Sequence, residues 1–343
     1  MSAAVKLVCL APAETAQLAL QPAAMPSPRR GQVVVRVEAT SVNPIDVKRA
    51  GGYGQRLLRL KGAGTFPLVL GNDLVGVVES VGDGVIQWRP GDRVMGLLPT
   101  GKGGGAHASH VAVDADLLRP AIAAAGAETL AVFPYSFTTV WLSLKGAGLD
   151  EANTKGLQVL IHGASGGLGQ LALQVLTGWG ASVTAICGTD NVEACRRLGA
   201  ASVWDRARSP LTKLPDHFDA ALNFAAWSDE EILLGKLKPT ALGYATTVHP
   251  LLANFDRDGL VLGGLRSRRE FRRMRRIAAA KGARYQWVIF RPDREALDVL
   301  HEFLSRGRLT LEVGIAATLQ DAGAAFDHVA RRKAGRAALR LLE

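Results

Sequence analysis

The fold is decided by the stretch Val159-Leu160-Ile161-His162-Gly163-Ala164-Ser165-Gly166-Gly167-Leu168-Gly169. A largely apolar run precedes its glycines, and apolar residues recur after them at helical spacing as far as Trp179. A strand, a glycine turn and a helix in this order are the context that a dinucleotide-binding site requires. Glycines let the backbone approach a pyrophosphate, and the amides at the start of the helix attract its charge. The pattern therefore predicts cofactor contacts from Ala164, Ser165, Gly166, Gly167, Leu168 and Gly169.

Short apolar strands alternate with helices from this stretch onward. We expect strands at residues 159–162, 182–187, 202–204, 220–224, 244–248 and 260–263. Successive βαβ units form a parallel sheet with helices on its faces. Residues 129–291 are therefore predicted to form a doubly wound, dinucleotide-binding domain.

The preceding part of the chain is rich in Gly, Pro and β-branched residues. Alternating runs such as Gln32-Val33-Val34-Val35-Arg36-Val37 are separated by turn motifs such as Arg89-Pro90-Gly91-Asp92. This pattern predicts a compact, mostly antiparallel, barrel-like β domain. After Arg291 we expect a helix at 294–306, a β-like stretch, a helix at 319–330 and a strand at 337–342. We assign residues 1–128 and 292–343 to the β domain, so the fold class is α/β with two domains.

The end of the second strand of the doubly wound domain indicates which dinucleotide is bound. NAD enzymes place an acidic residue there to bind the ribose 2′-hydroxyl. In this chain the uncharged Gly188 and Thr189 follow the strand, and the later Asp190 is explained by capping of the next helix together with Glu193. Gly188 and Thr189 would admit a 2′-phosphate, which Arg206 could neutralise. The sequence therefore predicts NADPH.

Composition limits the class of protein. Of 343 residues, 48% are hydrophobic and 21% charged, which is typical of a globular protein. The apolar runs are too short to cross a bilayer, and the N-terminus lacks the architecture of a signal peptide. Three cysteines without CxxC spacing suit a reducing compartment. We therefore expect a cytoplasmic protein without membrane insertion.

The formal net charge of +10 is concentrated in one segment. Seven arginines and one glutamate lie between Arg266 and Arg276, a local charge of +6. An apolar stripe at helical spacing runs through the segment, formed by Phe271, Met274, Ile277 and Ala278. We interpret the arginines as a solvated helix face and expect no nucleic acid, because the segment lacks interleaved Tyr or Trp for stacking on bases. A nucleic-acid or partner-binding role for these arginines stays an alternative.

Blocks of sequence follow one another in a specific order along the chain: Ser41-Val42-Asn43-Pro44-Ile45-Asp46, Gly52-Tyr53-Gly54, Phe66-Pro67-Leu68-Val69-Leu70-Gly71, Pro134-Tyr135, the glycine turn, Arg197-Leu198-Gly199-Ala200 and Tyr285-Gln286-Trp287. Together they resemble the zinc-free quinone oxidoreductase branch of the medium-chain dehydrogenase/reductase superfamily. The resemblance implies a GroES-like barrel domain beside a Rossmann domain. Zinc-dependent members have a cysteine where this chain has Asn43, and a His-Glu pair where it has Asn72-Asp73, so no metal site is expected.

The resemblance also implies roles for residues of the first domain. Asn43 would lie beside the nicotinamide, with Asp46 supporting its loop. Structural hydrogen bonding alone is the alternative for Asp46 and also for Asp73.

Further cofactor contacts are implied for the linking helix and the fourth strand of the sheet. Tyr135 and Thr138 would face the nicotinamide, although helix capping explains Thr138 equally well. Asn223 and Phe224 stand where relatives have an Asp-Asn pair, and we assign them to the cofactor site.

The implied reaction is hydride transfer from NADPH to an electrophilic carbon of a quinone or enone. Since no zinc ligands are expected, hydrogen-bond donors must stabilise the charge on the carbonyl oxygen. Tyr53, on a glycine-flanked loop, is the first candidate for the proton donor, and a tyrosine that only packs at the rim is the alternative. Direct reduction of an aldehyde or ketone is the second enzymatic interpretation. A homodimer is left open.

Overall fold

The structure is a computed structural model that describes residues 4–101 and 104–341. Its strands are β1 (Val5–Cys9), β2 (Leu18–Pro22), β3 (Gln32–Val42), β4 (Leu68–Val69), β5 (Asp73–Val81), β6 (Arg93–Leu97), β7 (His110–Asp114), β8 (Leu118–Pro120), β9 (Gln158–His162), β10 (Ser182–Cys187), β11 (Ser202–Asp205), β12 (Ala220–Asn223), β13 (Gly243–Thr246), β14 (Arg284–Trp287), β15 (Val313–Thr318) and β16 (Arg336–Arg340). Its α-helices are α1 (Pro44–Ala50), α2 (Gln55–Arg59), α3 (Ala127–Ala131), α4 (Pro134–Ala147), α5 (Gly167–Gly178), α6 (Val192–Arg197), α7 (Glu230–Gly235), α8 (Leu251–Ala279), α9 (Arg294–Ser305) and α10 (Ala322–Ala330).

The long strand β3 organises the β-rich part of the molecule. One of its edges pairs antiparallel with β5, while the other pairs with β7 along its first half and with β16 along its second. The resulting sheet runs β15-β16-β3-β5-β6-β8, and a smaller sheet runs β2-β1-β4. At alternate positions Val33, Val35 and Val37 join one buried cluster, as the two-residue period of a strand requires. The predicted antiparallel β domain is confirmed.

The second part is built on a fully parallel sheet of order β11-β10-β9-β12-β13-β14. The chain reverses its direction of winding between β9 and β12, which are neighbours in the sheet. Such a reversal opens a crevice at the carboxyl ends of the two strands, where open α/β sheets bind their ligands. The glycine turn follows β9 and Phe224 follows β12, so both lie at this crevice. The predicted doubly wound sheet is confirmed.

The predicted strand at 260–263 is wrong, because these residues lie in α8. This helix is interrupted at Gly259, whose φ of 78° is left-handed. Beyond the break the helix packs back on its own first turns, since an added Cβ at Gly263 would lie 2.5 Å from the Asn254 carbonyl oxygen. The edge strand of the sheet is β14 instead. A short apolar run suits a strand or a helix equally well, so periodicity could not separate the two.

The two parts meet along α4, which packs against α5, α9, β13 and β14. The chain returns to the first sheet through β15 and β16, and β16 pairs with β3. Where one domain ends and the next begins stays a prediction. Of the strand predicted at 337–342, β16 covers the first residues, and Leu342 lies outside the described residues. None of the helices in the described ranges combines the length and the apolar character that crossing a membrane requires.

Candidate active site

The glycine turn connects the end of β9 to the start of α5. Gly163 has a φ of 82°, a left-handed conformation that side chains rarely allow. An added Cβ at Gly169 would lie 2.2 Å from the Gly163 carbonyl oxygen, so α5 can approach the turn only because residue 169 is glycine. The positive end of the α5 dipole therefore faces the crevice. This is the geometry of an anion site at a helix N-terminus. The individual cofactor contacts of the turn stay predictions.

Arg336, at the start of β16, reaches from the β-rich part to this turn. An added Cβ at Gly167 would lie 2.4 Å from Arg336 Nη1, so the guanidinium occupies the space that the glycine leaves. Nη2 donates to Ser136 Oγ at 2.7 Å and to the side-chain oxygen of Asn43. Nε is buried and has no partner among the described residues. Burial lowers the pKa of Arg336, and the nearby Asp73 opposes that effect. The guanidinium stays charged and lies against the start of α5.

Asn43 is the centre of a saturated hydrogen-bond network. Its side chain is buried between β3 and α1, and Nδ2 donates to Ser41 Oγ at 2.9 Å and to Asp73 Oδ2 at 2.8 Å. Its oxygen accepts the bond from Arg336. Both amide hydrogens are used, so in this arrangement Asn43 orients Arg336 and offers no free donor. Its predicted place beside the nicotinamide stays a prediction.

Asp46 supports the loop of Asn43 as expected. Its Oδ2 accepts a bond from the Asn43 backbone amide at 2.8 Å, and its Oδ1 accepts one from the Gly71 amide at 3.0 Å. The first bond belongs to a capping box at the start of α1. The carboxylate thus joins the end of β3 to the segment before β5.

Asp73 is a fully buried carboxyl group beside this network. It accepts hydrogen bonds from Ser41, from Asn43 Nδ2 and from the backbone amide of Tyr135. Burial raises the pKa of Asp73 to about 6, although the three hydrogen bonds act in the opposite direction. The carboxyl group thus joins β5 to the first turn of α4, which is the structural role that the sequence left open.

The start of α4 contains Tyr135 in its first turn and Thr138 in its second. The Tyr135 ring packs on Phe290 with 4.2 Å between the ring centroids, and burial raises the pKa of its phenol, which stays protonated at neutral pH. Thr138 is fully buried, and its Oγ1 has no partner within the described part of the chain. Because this hydroxyl bonds no helix amide, capping does not explain it. A buried hydroxyl without a protein partner indicates a place for a ligand or water.

Tyr53 lies on the loop between α1 and α2, where it lines a narrow cleft together with Arg49 and Phe66. Asp256 of α8 accepts a hydrogen bond from the backbone amide of Gly54 and so holds the loop. Burial raises the pKa of Tyr53, and the charge of Asp256 adds to the effect. The phenol therefore keeps its proton at neutral pH. Its role as proton donor stays a prediction.

The predicted adenosine end of the site contains an acidic residue that the sequence analysis left out. An added Cβ at Gly188 would meet nothing within 4 Å, so open space lies beyond β10. Thr189 Oγ1 donates to Asp205 Oδ2 at 2.7 Å, and Arg208 Nε lies 3.3 Å from the same oxygen. The bond from Thr189 lowers the pKa of Asp205. The end of β11 therefore carries one negative charge, on Asp205, and two positive charges, on Arg206 and Arg208.

Asn223 and Phe224 end β12 at the crevice, but the side chain of Asn223 is already bonded. Its Nδ2 donates to the Ala226 carbonyl at 2.8 Å and to Glu230 Oε2 at 2.7 Å, and its oxygen accepts from the Ala225 amide at 3.1 Å. The side chain therefore shapes the turn that packs on Gly163. Only the backbone of these two residues and the Phe224 ring are left to contact a cofactor, and such a contact stays a prediction.

Glu230 is a further buried carboxylate, which the sequence pattern did not indicate. It accepts hydrogen bonds from Tyr244 at 2.9 Å, from Tyr285 at 2.7 Å and from Asn223. Its burial raises the pKa of the carboxyl group. The three donors come from β12, β13 and β14, so Glu230 ties the edge of the sheet to the turn after β12.

Asn72, the residue before β5, is tied to the segment after β6 by its side-chain NH2, while its Oδ1 is buried without a partner among the described residues. Its Nδ2 donates to the Leu98 carbonyl at 2.8 Å and to Thr100 Oγ1 at 3.2 Å. Across residues 4–101 and 104–341, no group of three or more His, Cys, Asp or Glu side chains is placed to hold a metal ion.

The residues of the crevice fit a dinucleotide. An added Cβ at Gly166 would meet only the Gly163 carbonyl oxygen, at 3.4 Å, so the backbone is open there, and the charged guanidinium of Arg336 lies beside the neighbouring Gly167. Thr138 Oγ1 and Arg336 Nε are buried polar atoms that lack partners in the described ranges. Arg336 carried no local sequence signal, because its partner Asn43 is 293 residues away.

Known proteins share this arrangement of domains. Residues 29–122 match the alcohol dehydrogenase GroES-like domain. The mitochondrial NAD(P)H oxidoreductase RTN4IP1 of Homo sapiens is 34% identical over 291 residues, which cover 81% of this chain and 73% of that protein. The protein of the same name from Danio rerio is 32% identical over 296 residues, or 81% of this chain and 75% of that protein. The solved quinone oxidoreductase of Coxiella burnetii matches 99% of this chain and 100% of its own with a TM-score of 0.83 and 21% identity, which shows the same fold.

These relatives correct one expectation. Both RTN4IP1 proteins are mitochondrial by name, so the expected cytoplasmic location is wrong. The prediction rested on cysteine usage and on the missing signal-peptide pattern. Neither feature separates the cytoplasm from another reducing compartment.

Proposed function

The chain belongs to the quinone oxidoreductase branch of the medium-chain dehydrogenase/reductase superfamily, and we propose that it reduces a quinone or an α,β-unsaturated carbonyl with NADPH and without zinc. The observation that carries the proposal is the meeting of Arg336 with the glycine turn at the switch point of the sheet. A fixed positive charge and a helix N-terminus together provide a site for a pyrophosphate.

The cofactor would be held by the glycine turn, Arg336 and Thr138. When bound, NADPH supplies the hydride for the electrophilic carbon of the acceptor. The Asn43 network fixes the guanidinium of Arg336, because Asn43 and Ser136 both accept from Nη2. The residues of the chain thereby orient the cofactor and supply charge, while the cofactor supplies the chemistry.

The charge that develops on the acceptor oxygen needs a donor. Asn43 has none to spare, so the protonated phenol of Tyr53 is the candidate. Arg49, which lines the same cleft, donates to the Ala63 carbonyl at 2.9 Å and is thereby held in place. We expect the Tyr53→Phe variant to lower kcat with little change in the NADPH affinity.

The preference for NADPH is supported by Gly188, Thr189 and Arg206. Space beyond Gly188 would admit a 2′-phosphate, and the neighbouring Asp205 is already bonded to Thr189 and paired with Arg208. Arg206 is thus left to neutralise the phosphate.

The test measures oxidation of NADPH and NADH with a quinone, an enone and an aldehyde, in the presence of a metal chelator. We expect NADPH to be preferred and the quinone or enone to be the better acceptor. Loss of one charge-assisted bond in the Arg206→Ala variant should raise the KM for NADPH about tenfold or more and leave that for NADH nearly unchanged. Arg197→Ala, which removes an arginine from the end of α6, is the control. A preference for NADH, loss of activity with the chelator, or an aldehyde as the best acceptor would each contradict a separate part of the proposal.

A further inference from the structure

The first turns of α8 beyond Gly259 expose large aliphatic side chains. Val261 is 76% exposed, Leu262 65% and Leu265 59%. These residues follow one another on a helix that packs its opposite face, with Met274 and Ala278, against the sheet. A patch of neighbouring aliphatic side chains on a folded domain indicates a surface that meets another apolar phase.

The same helix continues into the arginine-rich segment. Arg266 pairs with Asp258 and Arg273 pairs with Glu231, at 2.7 Å and 2.6 Å. No carboxylate lies within salt-bridge distance of the remaining arginines in the part of the chain that the structure describes, and these are Arg268, Arg269, Arg272, Arg275 and Arg276. All five are exposed. Their charge is therefore available to a partner.

The apolar and the basic residues share one face. Val261, Leu265, Arg268, Arg272 and Arg276 follow one another at steps of three or four residues, which places them in a single stripe along the helix. The stripe is aliphatic at its start and cationic toward its end. We call it the α8 stripe.

We propose that the α8 stripe binds the surface of a membrane that contains anionic lipid. The aliphatic side chains would enter the boundary between headgroups and acyl chains, and the arginines would pair with lipid phosphates. Such a helix lies in the plane of the surface without crossing it, which agrees with the absence of a spanning helix among residues 4–101 and 104–341.

Charge argues against the other occupants of the α8 stripe. A two-fold contact with a second copy would bring arginine-rich segments together, which is unfavourable. A nucleic acid would engage the arginines but leave Val261, Leu262 and Leu265 exposed to water. The aromatic residue of the segment, Phe271, packs on Tyr285 and Trp287 with 5.6 Å and 5.4 Å between ring centroids, so it is not free to stack on a base. An anionic lipid surface is the partner that uses both halves of the stripe.

The test is co-sedimentation of the full chain with vesicles of phosphatidylcholine alone or of phosphatidylcholine and phosphatidylglycerol in equal parts. One variant is Val261→Gln/Leu262→Gln/Leu265→Gln and a second is Arg268→Gln/Arg272→Gln/Arg276→Gln, since glutamine keeps the helix propensity. The matched controls carry three changes each in the β-rich part: Leu20→Gln/Leu60→Gln/Ile86→Gln, 38%, 69% and 91% exposed, and Arg29→Gln/Arg30→Gln/Arg89→Gln, also exposed. Thermal unfolding and NADPH oxidation check that each variant is folded.

We expect binding to the anionic vesicles, weakened by salt, and little binding to the neutral ones. Each arginine removed should lower the partition coefficient about fivefold, so the triple arginine variant should lose about a hundredfold, and the aliphatic variant should lose about tenfold or more. The controls should lose far less. Equal loss in the controls, or no binding to anionic vesicles, would overturn the proposal. If duplex DNA is bound without vesicle binding, the partner is a nucleic acid, and if a dimer is lost in the aliphatic variant without vesicle binding, the partner is a second copy.

Discussion

Titration of Asp73 provides a quantitative test of the network around Asn43. Burial raises the pKa of this carboxyl group from 3.8 to about 6 in the folded protein. A carboxyl group with a higher pKa in the folded state binds its proton more tightly there than in the unfolded chain. The stability that this group contributes is therefore greatest at low pH and is lost as the pH rises from about 4 to above 6. The lowered pKa values of Asp205, Asp216 and Asp258 act in the opposite direction, so the effect of Asp73 has to be isolated by a variant.

The Asp73→Asn variant removes the titrating group and keeps its shape. Between pH 4.5 and 7.5, the two pKa values predict that ionisation of Asp73 costs the native protein about 2 kcal/mol more at the upper end of the range than at the lower end. The variant carries no such penalty. The difference in the free energy of unfolding, variant minus native, should therefore rise by about 2 kcal/mol over that range.

Urea unfolding followed by the fluorescence of the six tryptophans measures this difference at each pH. Asp83→Asn, on the exposed turn after β5, is the control for removal of a carboxylate. A difference that stays constant with pH, or that falls as the pH rises, would refute the assignment of a raised pKa to Asp73.

Three further predictions concern the crevice and its support. The Gly167→Ala variant should raise the dissociation constant of NADPH at least tenfold in a fluorescence titration, because the new Cβ would lie 2.4 Å from the Arg336 guanidinium beside the turn. Gly178→Ala is the control and should leave the dissociation constant unchanged, because its new Cβ would meet nothing within 4 Å. In urea unfolding, Glu230→Ala should lower the free energy of unfolding by about 3 kcal/mol, since two tyrosines and an asparagine lose their buried acceptor. The control Glu231→Ala removes one exposed ion pair and should lower the free energy of unfolding by less than about 1 kcal/mol. In the same assay, Thr138→Val should stabilise the protein without cofactor by about 1 kcal/mol, because it replaces a buried hydroxyl that has no partner in the described ranges. The variant should also weaken NADPH binding. A loss of stability would contradict the assignment of Thr138 Oγ1 as an unbonded group.

The parts of the structure that sequence could predict are those with a local cause. The glycine turn is one, because Gly163 is required by its own left-handed φ and Gly169 by its approach to the Gly163 carbonyl oxygen, six residues before it. The parallel order of the second sheet follows in the same way from alternating strands and helices. The strand expected at 260–263 failed for the opposite reason. An apolar run indicates burial, but its large side chains, Leu260, Val261 and Leu262, are exposed.

Only the part of the candidate site that the glycine turn forms could be predicted from the sequence. Residues of the turn were found by spacing, whereas Arg336 meets Asn43 only because β16 pairs with β3. The pairing also fixes the orientation of the Asn43 side chain, whose amide is bonded to partners from β3, β5 and β16. Glu230 was missed because its donors Tyr244 and Tyr285 lie on other strands, and Asp205 was missed because its bond from Thr189 spans 16 residues. A charge whose partner is fixed by tertiary structure leaves no periodic signal.

The position of β16 also determines when the site can form during synthesis. This strand is the last to leave the ribosome among those that the structure describes, yet it fills a place beside β3, which emerges near the beginning. A nascent chain can fold the parallel sheet and its glycine turn before Arg336 exists. Until then the edge of β3 from Ala39 to Val42 has no strand to pair with, and the buried Asp73 has no cation beside it. The growing chain therefore exposes an open strand edge in its own first domain, which is where a chaperone would be expected to act.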